Sequence, residues 1–165
     1  MNRGTFWLIW GIGFVPMALA MVMYFGQVGV PQAKTNNGEL LPSGLELDEW
    51  EIEDAAGEQW AYRGDWQLIL SYAKCDTAAC VDWKKTLPNL HTALGREQDR
   101  VQWHLLSGHP AEHTSMLVSR QIESIGSAVW VADPLGNLVM RYSLEQPPRE
   151  LLLDLKRMLK VSKIG

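Results

Sequence analysis

Trp66-Gln67-Leu68-Ile69-Leu70-Ser71-Tyr72-Ala73-Lys74-Cys75-Asp76-Thr77-Ala78-Ala79-Cys80 is a short apolar run, a break, and then a pair of cysteines at the mouth of a helical pattern. The apolar part, Trp66 to Tyr72, has the length and composition of a buried strand. Beyond Cys80, Trp83, Leu87, Leu90 and Leu94 recur at helical spacing, with Gly95 as a C-cap and Pro88 expected to kink the helix. Cys75 therefore leaves a strand, and Cys80 opens a helix. A thiol at a helix N-terminus meets unpaired backbone N–H groups and the positive end of the helix dipole, both of which favour its thiolate. Thiol-disulfide exchangers and carriers of soft metals are built on such junctions. A disulfide that only pins the loop uses the same residues. Cys75 and Cys80 are the only cysteines, so they form one local unit and not a disulfide scaffold, and a packed core must hold the fold.

On either side of this junction the pattern alternates between strands and helices. Trp50, Ile52, Trp60 and Tyr62 alternate with polar residues around Asp54-Ala55-Ala56-Gly57, which predicts a two-stranded hairpin. Val101 to Leu106 is a further strand, and Pro110 to about Ile122 is expected to be a helix with Pro110 in its first turn. Ala128–Ala132 and Leu138–Tyr142 flank Asp133-Pro134-Leu135-Gly136-Asn137, a strong hairpin signal. After Pro147 and Pro148, residues Leu151, Leu152, Leu155, Met158 and Leu159 mark a closing amphipathic helix. Strands alternating with helices imply a parallel element in the sheet, and the late hairpin adds antiparallel strands. The fold class is α/β.

Upstream, no charged side chain stands between Arg3 and Lys34. Thr5 to Val28 reads TFWLIWGIGFVPMALAMVMYFGQV, long enough to cross a hydrocarbon core of about 30 Å. Trp7 and Trp10 at one end, and Tyr24 and Phe25 at the other, suit the two membrane interfaces. Gly11, Gly13 and Pro16 are tolerated in membrane helices. Ala18-Leu19-Ala20 resembles a signal-peptide cleavage triplet, yet apolar residues continue past it, which favours a retained anchor. With Arg3 and the terminal amine before the span, the positive-inside rule puts the N-terminus in the cytoplasm and the remainder on the extracytoplasmic, oxidising side. Residues 1–28 are thus expected to be a transmembrane anchor and 29–45, rich in Gly, Pro, Asn and Ser, a tether. The remaining residues, 46–165, form the domain.

The 165 residues carry a formal charge of −4, which argues against nucleic acid as a partner. Between Glu39 and Asp82 acidic residues dominate, and Arg63 and Lys74 are the only basic ones. From Arg149 to Lys163 basic residues lead. These are either two solvated faces of one fold or, for the first, a docking surface for a basic partner or a metal carrier. No Ser/His/Asp triad, phosphate loop or paired-carboxylate site stands out.

Taken with the acidic hairpin and Arg63-Gly64-Asp65 before it, the stretch Ser71 to Cys80 resembles the Sco/SenC proteins, as does Asp133-Pro134-Leu135-Gly136 followed by an apolar strand. The resemblance covers roughly Leu47 to Leu159 in layout and two short patches in specific motif. It implies a thioredoxin-like domain with a mixed sheet flanked by helices. It also implies a role in cytochrome c oxidase assembly, with Cys75 and Cys80 exchanging disulfides or passing Cu(I) to an oxidase subunit. Cys75 would be the nucleophile, alkylated first, and Cys80 the resolving partner. A general thiol-disulfide reductase and a non-catalytic membrane-tethered assembly module are the other readings.

Three departures stand out. Four residues separate these cysteines, where the family has three and thioredoxins two. Ile125-Gly126-Ser127 replaces the thioredoxin proline. The family's copper-binding histidine would fall near Ile125. His109 and His113, four apart around Pro110, could share a helical face, whereas His104 lies in a strand. Met116 and Met140 are soft atoms more naturally read as core.

Overall fold

The computed structural model describes residues 3–26, 36–62, 64–109 and 116–162. The chain divides into two compact units, Met1–Thr35 and Asn36–Gly165. In the first, helix α1 (Arg3–Phe25) runs 23 residues without interruption at Pro16. Its mean hydropathy reaches 2.0, and none of its side chains is buried in protein. At a rise of about 1.5 Å per residue it is about 35 Å long, so it is long and apolar enough to cross a membrane.

The second unit is built on a six-stranded mixed sheet of order β1-β6-β5-β2-β3-β4. Strands β2 (Trp66–Ser71), β3 (Val101–Ser107) and β4 (Met116–Val118) are parallel neighbours. β5 (Ala128–Ala132) runs antiparallel to β2, and β6 (Leu138–Tyr142) antiparallel to β5. β1 is only Glu39–Leu40, paired antiparallel with Arg141 and Met140. It arises inside the stretch read from sequence as a tether.

The six residues of β2 are all buried, because neighbours flank both its edges and both its faces are covered. On one face Leu68 and Leu70 meet α2 (Ala78–Thr92) and α4 (Pro148–Val161) through Trp83, Leu87, Leu151 and Leu155. On the other face Ile69, Leu106 and Trp130 are covered by Leu47, Trp50 and Ile52 and by the single turn α3 (Ile122–Ile125). Trp50 meets Trp130 edge to face at 5.1 Å between centroids.

Several local expectations are corrected. The hairpin around Asp54 to Gly57 shrinks to one bridge, Glu53 to Gln59, preceded by a 3-10 turn at Leu47–Trp50. The Asp54 carboxylate accepts from the N–H groups of Ala56 and Glu58 at 2.8 and 3.1 Å and tightens the turn, while Glu53 also exchanges backbone hydrogen bonds with Val118. Alternating aromatics there serve as a lid on the sheet. The predicted helix from Pro110 to Ile122 is replaced at Met116–Val118 by β4. Met116 joins one core and Leu117 the other, which is strand geometry. Pro110 and His113 lie outside the described residues. Helix α2 continues across Pro88 and ends at Thr92, and Gly95, at φ +65°, opens a 3-10 turn instead of capping the helix.

The β5–β6 hairpin forms as expected, its turn held by the Asp133 carboxylate, which accepts from the N–H groups of Leu135 and Asn137. In α4, Pro148 takes the first helical position, where a missing N–H costs nothing.

Candidate functional site: the Cys75–Cys80 junction

β2 ends at Ser71, and Tyr72 extends the strand's pairing by donating its N–H to Leu106 at 3.0 Å. The chain then turns through Ala73 to Asp76 into α2, whose N-cap is Thr77. Across this turn Cys75 and Cys80 are joined in a disulfide with Cα atoms 5.3 Å apart, inside the usual range for an unforced bridge. The two sulfurs differ in setting. Cys80, in the first turn of α2, is 1% exposed in the first core. Cys75 is only partly buried at the edge of that core, between exposed Lys74 and Asp76. Of the two residues, Cys75 is the more exposed.

The segment before β5 lies against the end of β2. Ser71, fully buried, donates its hydroxyl to the Gly126 carbonyl at 2.6 Å and accepts from the Trp130 indole N–H at 2.8 Å. Gly126 has φ +78° and ψ −179°, a conformation essentially closed to residues with a Cβ. Glycine stands here in place of the thioredoxin proline, and no described peptide bond is cis. Ile125, near which the sequence resemblance would put the family histidine, is buried in the second core, whereas the cysteines belong to the first.

Among the described residues, no histidine joins the cysteine pair in a metal-holding group. His91 shares its Nε2 between the carbonyls of Gln98 and Val101, at 3.0 and 2.8 Å. His104 sits edge to face with Trp60 at 4.9 Å, and burial lowers its pKa to about 4, so it is neutral near pH 7. His91 and His104 line a cleft of about 390 Å³ with Trp60, Trp103 and Met116, and neither cysteine contributes to it. His109 is exposed. Met116 and Met140 are core residues, 4% and 1% exposed, and Met140 Sδ accepts from the Tyr142 hydroxyl. Among the described residues no group of three or more His, Cys, Asp or Glu side chains is placed to hold a metal. Among the described residues, a soft ion would find the two sulfurs and no third protein ligand of those types.

Two polar residues, one at the junction and one on α4, were not anticipated from sequence. Thr77 accepts the Cys80 N–H on its hydroxyl at 3.3 Å. Its signal was its place immediately before the helical Ala78-Ala79-Cys80. Asp154, 2% exposed, accepts from the Asn37 backbone and side chain, the Gly38 N–H and the Tyr142 hydroxyl, and pairs with Arg157. Burial, with the Asp154 charge beside it, raises the Tyr142 pKa. The signal for Asp154 was a carboxylate between Leu151 and Leu155 on the apolar side of α4.

A family profile described as "Transmembrane-like, thioredoxin-like, C-terminal domain" matches residues 110–162. No curated protein matches the sequence significantly. Among solved structures, yeast Sco1 is similar at 15% identity and a TM-score of 0.53, covering 74% of this chain and 96% of that one. Yeast Sco1 with copper bound aligns at 14% identity and 0.53, covering 68% and 91%. Bradyrhizobium japonicum ScoI with copper bound aligns at 17% identity and 0.46, covering 66% and 96%. The Sco likeness expected from the motifs is therefore present in the structure, and the Asn36–Gly165 unit has a thioredoxin-like fold.

Proposed function

We propose that this chain is a membrane-tethered thiol-disulfide exchange factor in the biogenesis of a respiratory cytochrome oxidase, working through Cys75 and Cys80. The observation that carries the reading is the disulfide across a strand-loop-helix junction, with one cysteine partly exposed and the other buried. In the reduced chain the Cys75 thiolate attacks a client disulfide, and one client sulfur leaves as a thiolate. Cys80 then attacks the Cys75 sulfur of the mixed disulfide, which closes the internal S–S bond and releases the second client thiolate. Two electrons pass from the cysteine pair to the client. Helix α1 keeps this chemistry at the membrane, with the thioredoxin-like unit on the extracytoplasmic side, where metal-site cysteines of an oxidase subunit oxidise. Residues 1–28 act as anchor, and the stretch that follows links it to the domain, whose sheet already includes β1 at Glu39–Leu40.

The test uses the full chain in detergent. After reduction it is mixed with a peptide carrying an internal disulfide, and the Cys80→Ala variant is used to trap the intermediate. A mixed disulfide through Cys75, with loss of peptide reduction in Cys75→Ala, is expected. A wild-type pair that reduces and reoxidises with small thiols yet never joins the peptide removes the reading and leaves the tethered assembly module.

A second reading is Cu(I) transfer to the same client. Two thiolates bind Cu(I) linearly without a third ligand, and the similar yeast Sco1 structure contains copper. One Cu(I) per reduced chain, held against a competing chelator and lost in either single cysteine variant, is the expected result. Retention of that ion in Cys75→Ala would exclude the pair as the site.

A further inference from the structure

Thr77 occupies the N-cap of α2 between the two cysteines, and its hydroxyl accepts the Cys80 N–H. Its carbonyl accepts the first helical hydrogen bond, from Val81 at 3.1 Å. The helix therefore starts at Ala78, two residues beyond Asp76, and Cys75 lies outside it. Yet the disulfide holds the Cys75 sulfur against Cys80, so this sulfur stands beside the first turn of α2. First-turn N–H groups have no partner within the helix and take whatever acceptor is near. In the oxidised chain the sulfur is a poor acceptor, and the Thr77 hydroxyl meets the need. When the S–S bond breaks, the sulfur left on Cys75, in its thiolate form, becomes a strong acceptor and competes with Thr77 for the same N–H.

We propose that Thr77 is a positioning residue that sets the redox balance of the pair, by keeping the Cys80 N–H away from the reduced Cys75 sulfur and so favouring the disulfide. This rests on the exchange reading above and names what regulates the pair. Without the hydroxyl, the oxidised form has an N–H with no good acceptor, whereas the reduced form recovers one from sulfur. Removal of Thr77 therefore weakens the disulfide relative to the dithiol. The four-residue spacing creates this arrangement, because it leaves room for a separate N-cap between the thiols.

The experiment equilibrates the full chain in detergent with mixtures of reduced and oxidised glutathione. Two glutathione thiols and the protein disulfide exchange with glutathione disulfide and the protein dithiol, so two electrons and two protons are conserved. The Thr77→Ala variant should shift this equilibrium toward the dithiol by about three- to tenfold, the size of one hydrogen bond. Thr77→Ser, which keeps the hydroxyl, should lie within about twofold of wild type on the same scale. Thermal unfolding of both redox forms supplies the control: the alanine variant should lower the midpoint of the oxidised form more than that of the reduced form.

A cap that is only structural lowers both midpoints equally and leaves the glutathione equilibrium unmoved, which would overturn the proposal, as would a shift toward the disulfide. The outcome is independent of whether the peptide of the previous section is reduced, since glutathione alone reports it. A pair that no thiol reduces in the folded chain removes both the exchange reading and this one.

Discussion

The two faces of the sheet are built by different means. On the face that carries the cysteines, regular helices α2 and α4 lie over β2, β3, β5 and β6, and the apolar periodicity of each helix is plain in its own sequence. On the opposite face the cover is a 3-10 turn, a single bridge and one turn of helix, brought from both sides of the sequence. The first face presents the cysteine junction at its edge, where the helical layer holds the first turn of α2. The second face works as a lid, and its order depends on contacts between segments far apart in the chain. The proposed exchange chemistry would stand on the locally encoded face, and the remotely assembled face supports the end of β2 from behind through Ser71, Trp130 and the Gly126 loop.

The largest effects should come from opening either core. Trp50→Ala removes the centre of the lid and its edge contact with Trp130, and is expected to cost about 4 kcal/mol. Leu155→Ala on α4 is expected to cost about 3 kcal/mol in the same urea titration. If the lid were only an ornament on the sheet, Trp50→Ala would fall below 1 kcal/mol and the symmetry between the faces would be broken.

Asp154→Ala tests how the segment before β1 is tied to α4. It strands the Asn37 and Gly38 N–H groups and the Tyr142 hydroxyl, and is expected to cost about 3 kcal/mol. Amide exchange at Asn37 and Gly38 should rise together with the loss. Unchanged protection there would mean that this segment is held by β1 alone.

A pH titration sharpens the comparison on the side of the lid, where His104 meets Trp60. Its folded-state pKa, lowered by burial to about 4, lies below the ordinary 6.5. Between those values the unfolded chain binds a proton that the folded chain refuses. Stability from this group is therefore complete above pH 6.5 and falls as the pH drops toward 4, by about 3 kcal/mol at most. The difference between wild type and His104→Phe across that window isolates the effect. A difference independent of pH would show that the imidazole charges freely in the folded state.

The smallest of these effects is expected at the disulfide. Replacing Cys75 and Cys80 together by alanine opens a short loop and should cost about 2 kcal/mol, with the fold retained, because the helical layer still buries its apolar side. Near-ultraviolet circular dichroism of the reduced wild-type chain should match the oxidised form closely. Loss of tertiary structure on reduction would make the bridge a structural staple and remove it from exchange chemistry.

What the sequence by itself determined are the parts whose signals fit inside one window of the chain. Helix α1 shows in its uncharged apolar run, and β2 followed by α2 shows in the switch from a continuous apolar run to helical spacing. The β5–β6 hairpin shows in Asp133 to Asn137, and α4 in Pro148 and the leucines after it. The cysteine pair was legible for the same reason, since both thiols lie at one junction.

Only the tertiary structure decided the rest. Met116 and Leu117 became a strand because β3 offered a free edge with a core on each side. The expected hairpin became a lid because Glu53 pairs with Val118 as well as Gln59. Ile125 entered the second core, away from the cysteines, and Asp154 found partners 116 and 117 positions away at Gly38 and Asn37. Such contacts gain their energy from burial and hydrogen bonding between distant segments, and that energy overrides local propensity wherever the local preference is weak.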